Sequence, residues 1–170
     1  MFLTGSAGTG KTLMLCEALK IALSKLKQRG ADVKIFVTIY DKGCTEILNK
    51  LKDQYLVNIE NINFTSLREL CRYLNCYWDY VEPQETISSV VMSLTNKYRN
   101  SMVILLCDEV FSGKSADWSN IVTSHNVTWM LAVNPKTSGG AANSKISPPN
   151  SEYVISQQLL INYRNCYQIR

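Results

Sequence analysis

Two short stretches of this sequence carry residue types that do chemistry together. Gly5-Ser6-Ala7-Gly8-Thr9-Gly10-Lys11-Thr12 has the spacing G-x-x-x-x-G-K-[ST]. In such a string the glycines let the backbone turn so that successive N–H groups point inward at phosphate oxygens, and the helix that follows presents its positive end. Gly5, Ser6, Ala7, Gly8, Thr9, Gly10, Lys11 and Thr12 are therefore the expected phosphate-binding residues. Lys11 would place its ammonium between the β- and γ-phosphates of a nucleotide, and the Thr12 hydroxyl would ligate Mg²⁺. The second stretch is the acid pair Asp108-Glu109, which follows the apolar run 103–107. Asp108 is an oxygen ligand suited to Mg²⁺, and Glu109 is suited to orienting and deprotonating a water that attacks the γ-phosphate. Mg²⁺ and ATP are the expected ligands. An activated water favours a hydrolase over a small-molecule kinase.

These residues need elements to position them. An apolar strand at 2–4 leads into the glycine-rich loop, and 11–28 reads as an amphipathic helix. Leu15, Leu19, Ala22 and Leu26 form its buried face, and Gly30 is a natural stop. The β-branched run 33–39 reads as a buried strand, 44–52 as a second helix and 59–64 as a short strand. Thr65 or Ser66 caps a helix ending near Leu74, and Glu69 three residues after Ser66 completes a capping-box pattern. An aromatic-rich loop, 75–82, precedes a helix over 84–98. Tyr73, Tyr77, Trp78 and Tyr80 cluster around this loop and read as an aromatic patch that packs an inserted helical subdomain, in preference to a base-stacking surface. Strands are expected at 102–107 and 128–133. The Gly-, Ser-, Asn- and Pro-rich stretch 135–151 reads as a flexible loop, and the tail from Glu152 as a strand and the start of a helix. Alternating strands and helices predict an α/β fold: a parallel central sheet flanked by helices on both faces, with ligand groups at the carboxyl ends of strands.

Length and composition agree. The 170 residues fit one domain, and the 46% hydrophobic and 19% charged residues exclude global disorder. No apolar run is long enough for a membrane span, and Met1–Thr4 running straight into glycine predicts no signal peptide. A net charge of +4 permits a polyanionic partner without requiring one. The six cysteines form no C-x-x-C pair, and the sole histidine is His125, so a zinc site of ordinary spacing is not expected. Several of the cysteines, such as Cys107, lie in apolar runs and read as small core residues, and the set reads as reduced in an intracellular protein, cytoplasmic or nuclear. Trp118 and Trp129 read as core.

The ordered string of motifs resembles the first motor domain of superfamily 1 helicases of the UvrD/Rep type, across nearly the whole chain. Phe2 to Thr12 looks like motif I. Val37-Thr38-Ile39-Tyr40-Asp41-Lys42-Gly43-Cys44 looks like motif Ia, and Asn63-Phe64-Thr65-Ser66-Leu67 is similar to the segment that follows it. Asp108-Glu109 takes the place of motif II. Leu131-Ala132-Val133-Asn134-Pro135-Lys136-Thr137 is similar to motif III, and Asn162-Tyr163-Arg164-Asn165 looks like motif IV. Schlafen-type helicase-like domains show a related pattern.

The resemblance implies a RecA-like P-loop NTPase: a Mg²⁺-ATP-binding and hydrolysing, helicase-like domain that acts on single-stranded DNA or RNA when completed by a second RecA-like domain. It implies that Lys11, Glu109 and Arg164 serve catalysis, Arg164 as an arginine finger at the γ-phosphate, and that Tyr163 stacks on the nucleotide base. The motif Ia segment, Lys42, Phe64 and Thr65 would line the nucleic acid path. The sequence also departs from the family. Thr137 stands where the family has a glutamine that senses the γ-phosphate, Asn134 where it has an acid, and Ile39 where motif Ia has phenylalanine. The family's adenine-reading segment would lie ahead of Met1, and the second motor domain is not within these residues, so the chain is expected to be half of a motor. The alternative expectation is a nucleotide-dependent binding or switch module with little turnover.

Overall fold

The chain alternates strand and helix, and its apolar residues alternate along the strands between two separate interiors. The computed structural model describes residues 1–40, 45–79, 81–112, 117–135, 146–150 and 152–160. The elements are β1 (Phe2–Gly5), α1 (Lys11–Gln28), β2 (Val33–Ile39), α2 (Thr45–Lys50) continued by one π-helical turn (Leu51–Tyr55), β3 (Ile62–Ser66), α3 (Leu67–Leu74), α4 (Pro83–Lys97), β4 (Met102–Ser112), β5 (Val127–Pro135) and β6 (Ser156–Leu159). All six strands join one sheet in the order β3-β2-β4-β5-β1-β6, and every pairing is parallel.

Side chains on successive strand residues point to opposite faces. Val103, Leu105 and Cys107 of β4 pack with Trp129 and Leu131 of β5 beneath α3 and α4. Ile104 and Leu106 pack with Met130 and Ala132 beneath α1 and the π-helical turn. The expected parallel sheet covered on both faces is thus the observed one. α1 buries Leu15 and Leu19 as expected, adds Cys16 and Leu23, and packs Ala22 and Leu26 at the margin of that face. It ends at Gln28, where Gly30 adopts φ +69°.

α3 starts on the expected capping box. The Ser66 hydroxyl accepts from the Glu69 amide, and the Glu69 carboxylate accepts from the Ser66 amide. Trp118 and Trp129 are buried, Trp118 against the Phe2 ring at 5.3 Å. The aromatic patch differs from expectation. Trp78 stacks on Tyr40 at 5.1 Å and the Tyr40 hydroxyl donates to Asp79 O, so α3 and α4 with their linker lie on the sheet rather than forming a separate subdomain.

Three strand boundaries shift. β3 covers 62–66 rather than 59–64, β5 covers 127–135 rather than 128–133, and β4 runs on to Ser112 instead of stopping before the acids. Parallel pairing of Val110, Phe111 and Ser112 with Val133, Asn134 and Pro135 extends it. The tail forms β6 as expected, and its expected helix lies outside the described residues. Of the loop expected at 135–151, Pro135 belongs to β5 and residues 146–150 are also described, where Ser147 bridges to Asp117. Among the described residues, no helix is long and apolar enough to cross a membrane.

Candidate functional site

The glycine-rich loop spans the gap between β1 and α1 at the carboxyl end of the sheet. Gly10 caps α1 in the left-handed conformation with φ +85° and offers no side chain to the helix, and the first helical turn contains no acid. The positive end of an 18-residue helix is therefore not answered by a side chain of its own. Inside the loop, the Thr9 hydroxyl donates to Ser6 O at 2.9 Å. The buried Lys11 ammonium donates to Gly5 O and Ser6 O, each at 2.8 Å. The ammonium is folded into its own loop.

β1 and β4 are not neighbours, because β5 lies between them. The loop and the acids nevertheless meet. The Thr12 hydroxyl donates to Asp108 Oδ2 at 2.6 Å, and the Glu109 amide donates to Asp108 Oδ1 at 2.9 Å. Asp108 is 1% exposed. Burial pushes its carboxyl above the usual range, while the Thr12 hydroxyl, the Glu109 amide and the Lys11 charge pull it back only in part. A cation placed beside Asp108 would relieve that penalty.

The position of both acids follows from a defect in the β4–β5 ladder. Cys107 pairs with Leu131 and Val110 with Val133, so two residues, Asp108 and Glu109, oppose the single residue Ala132. This is a β-bulge, and Glu109 adopts φ +55° to accommodate it. In a regular strand the two acids would face opposite sides of the sheet. Here Asp108 bonds Thr12 on the α1 side, and Glu109 Oε2 accepts a hydrogen bond from Asn134 Nδ2. Asn134 shares the strand parity of Met130 and Ala132, which also face α1. Beyond the bulge the alternation is inverted, and Val110 joins the interior that Cys107 also faces. Sequence reasoning noted Asn134 only as a departure from a motif; its contact with Glu109 spans 25 residues and leaves no local signal.

Gly5, Ser6, Ala7, Gly8, Thr9, Gly10, Lys11, Thr12, Asp108 and Glu109 thus lie in one loop-and-strand-end assembly. Tyr163, Arg164, Lys42, Lys136 and Thr137 lie outside the described residues. The segments expected to line a nucleic acid path divide. Thr38 is fully buried and donates to Leu106 O, and Tyr40 is fully buried, so neither side chain presents itself at the surface. Thr38 is turned inward by the alternation of β2, and Tyr40, just past the end of β2, is covered by Trp78. Phe64 and Thr65 are half-buried and line an open cleft of about 460 Å³ with Phe36, Tyr73 and Tyr98. Comparison with protein-family models, with curated proteins and with solved structures returns no match.

Proposed function

We propose that this chain is the first, RecA-like motor domain of a superfamily 1 helicase-like P-loop NTPase, which binds and hydrolyses Mg²⁺-ATP and acts on single-stranded nucleic acid together with a second such domain. The observation that carries this reading is the hydrogen bond from Thr12 to Asp108, which joins the phosphate-loop motif to the acidic strand across two strand spacings. The donor set suits a small hard cation: a hydroxyl and a buried carboxylate that lacks full charge compensation. Thr12 and Asp108 would hold Mg²⁺, which when bound neutralises charge on the β- and γ-phosphates.

The remaining roles belong to the chain's own groups. The loop amides would face phosphate oxygens. Lys11, which now donates to two loop carbonyls, would exchange a carbonyl for a phosphate oxygen without leaving its place. Glu109 would take a proton from the attacking water as its oxygen bonds to the γ-phosphorus and the bridging oxygen departs with ADP. Arg164 and Tyr163 are proposed for the γ-phosphate and the base by resemblance. The open cleft lined by Phe36, Tyr73 and Tyr98 supports stacking on the bases of a single strand, while Phe64 packs against the interior beneath α1. The setting that suits this chemistry is intracellular.

A second reading, a nucleotide-gated switch with little turnover, is favoured by the motif III departures Asn134 and Thr137. The two are separated by measuring Mg²⁺-ATP binding and hydrolysis with and without single-stranded DNA or RNA, in the wild type and in Lys11→Ala. Turnover that rises with nucleic acid and vanishes in Lys11→Ala supports the motor. Lys11-dependent binding without turnover selects the switch. Binding indifferent to Lys11 overturns both.

A further inference from the structure

α3 ends in a Schellman turn. Asn75 takes the left-handed conformation, the Asn75 amide donates to Arg72 O at 3.2 Å, and the Cys76 amide donates to Cys71 O at 3.0 Å. Such a turn brings the side chains of its first and last residues together, and the pair that meets there is usually apolar. Here both are cysteines, and the Cys71 thiol donates a hydrogen bond to Cys76 Sγ. Cys16, Cys71, Cys76 and Cys107 are free thiols. Cys71 is buried, whereas Cys76 keeps contact with solvent. The Ser89 and Ser93 hydroxyls of α4 also donate to Cys76 Sγ. Ser89 Oγ accepts from the Tyr77 amide, which leaves its own proton for the sulfur. These donors, Cys71 first among them, lower the Cys76 thiol to about 6. Cys71, the donor of the pair and itself buried, is held protonated.

We propose that Cys71 and Cys76 are a peroxide-oxidised thiol pair, in which the half-buried Cys76 is the attacking sulfur and the buried Cys71 resolves the product into a disulfide. The oxidant is hydrogen peroxide. The Cys76 thiolate attacks one peroxide oxygen and the O–O bond breaks. The departing hydroxide takes up the proton that the thiol had released, giving Cys76 sulfenic acid and water. That step removes the negative charge that held the proton on Cys71. The Cys71 sulfur then attacks the Cys76 sulfur, the S–O bond breaks, and the leaving hydroxide takes the Cys71 proton as the second water. The two sulfurs together give up two electrons, and the peroxide is reduced to water. Cys107 is not placed to replace Cys71, because it is fully buried and its thiol faces Asp108 O and the Thr38 hydroxyl. The disulfide would tie the last turn of α3 to the segment 76–79, whose Trp78 covers Tyr40. So short a ring restrains the unfolded chain little, which suits a bond that thiol reductants reverse. Nothing in this chemistry depends on nucleotide binding.

The test uses the whole 170-residue chain, reduced, freed of reductant and treated with hydrogen peroxide at neutral pH. Remaining thiols are capped with N-ethylmaleimide before digestion. Trypsin cuts after Arg68, Arg72 and Lys97, so a Cys71–Cys76 bond joins peptide 69–72 to peptide 73–97. This joined peptide is expected to be the first disulfide to appear and to vanish on adding dithiothreitol. It should form roughly threefold or more faster in the folded chain than in urea, where the turn and its donors are lost. In Cys71→Ser, Cys76 should instead accumulate as sulfenic acid, trapped by dimedone, and then as sulfinic acid. In Cys76→Ser, Cys71 should stay reduced. If either variant fails to fold, the joined wild-type peptide and its rate in urea decide. A wild-type Cys76 that stays reduced, that passes to sulfinic acid unlinked, or that joins another cysteine first overturns the proposal. Equal rates in the folded and unfolded chain, or oxidation of Cys71 in a folded Cys76→Ser, overturn it as well.

Discussion

The Thr12 hydroxyl donates to Asp108 Oδ2 at 2.6 Å, although 96 residues separate the two in the chain. This bond compensates part of the burial penalty on the carboxylate and aligns the two groups proposed to share a divalent ion. Thr12→Ala removes the hydroxyl and leaves Asp108 with one donor fewer. Mg²⁺-ATP affinity should fall roughly tenfold or more, and affinity for ATP in excess chelator should fall by much less. Calorimetric titration in the two buffers measures both. Equal losses would show that Thr12 acts on the loop and not on the ion.

Lys11 is buried and donates to Gly5 O and Ser6 O. Lys11→Ala should lower nucleoside triphosphate affinity by roughly tenfold or more. Lys11→Arg should not restore it, because the larger planar guanidinium does not fit a place shaped for a compact ammonium. Fluorescent-nucleotide binding on the three proteins reads this out, and recovery in Lys11→Arg would contradict the geometry described.

Gly5 and Gly10 predict different stability losses. A Cβ on Gly5 would lie 2.6 Å from Leu159 O in β6 and 3.0 Å from the Thr9 hydroxyl. Gly5→Ala must therefore push β6 from β1, at a cost of about 2–3 kcal/mol. At Gly10 no atom lies within 4 Å of the added carbon, and only its φ of +85° resists. Gly10→Ala should cost about 1 kcal/mol. Urea unfolding of the two variants should rank them in that order.

Glu109 holds φ +55°, where a side chain is strained and glycine is not. Glu109→Gly should consequently be more stable than Glu109→Ala by about 1 kcal/mol, the reverse of the usual order inside a strand. Both variants lose the carboxylate and should hydrolyse no ATP. Paired denaturation curves and a phosphate-release assay check the two statements, and an alanine variant as stable as the glycine variant would argue that the bulge relaxes.

The thiols should differ in reactivity. Hydrogen bonding from Cys71, with help from Ser89 and Ser93, holds the half-buried Cys76 below the ordinary thiol value. Burial and the Asp108 charge push Cys16 up to about 12, and burial pushes Cys107 to about 12. At neutral pH iodoacetamide should modify Cys76 well before Cys16, Cys71 or Cys107, because the thiolate is the nucleophile. Peptide mass mapping over time reads the order.

Local chemistry made much of this legible in the sequence. The unbroken apolar run 103–107, the capping box of Ser66 and Glu69, and the fixed spacing from Gly5 to Thr12 each act within a few residues, so they can be read without partners. The bulge could not be read. It is a property of how β4 registers against β5, and nothing in Cys107-Asp108-Glu109-Val110 alone says that two residues will oppose Ala132. For the same reason the strand looked as if it ended at the acids, when pairing carries it to Ser112. In the sequence Asn134 is only a missing acid, and folding alone brings its amide to Glu109. Thr38 and Tyr40 sit in a segment that resembles a nucleic acid motif, yet Thr38 is buried by the place of β2 between β3 and β4, and Tyr40 by Trp78 from the distant 75–79 segment.

The inverted alternation after Glu109 has an evolutionary corollary. Val110 reaches its interior only because one additional residue precedes it, so the far half of β4 is out of phase with the near half. Replacing either acid keeps that phase, and a chain that had abandoned chemistry could drift there freely. Excising one of them would turn Val110 to the α1 side and throw the last three rungs of the ladder out of step. Substitution is open to selection at this spot, while length is not.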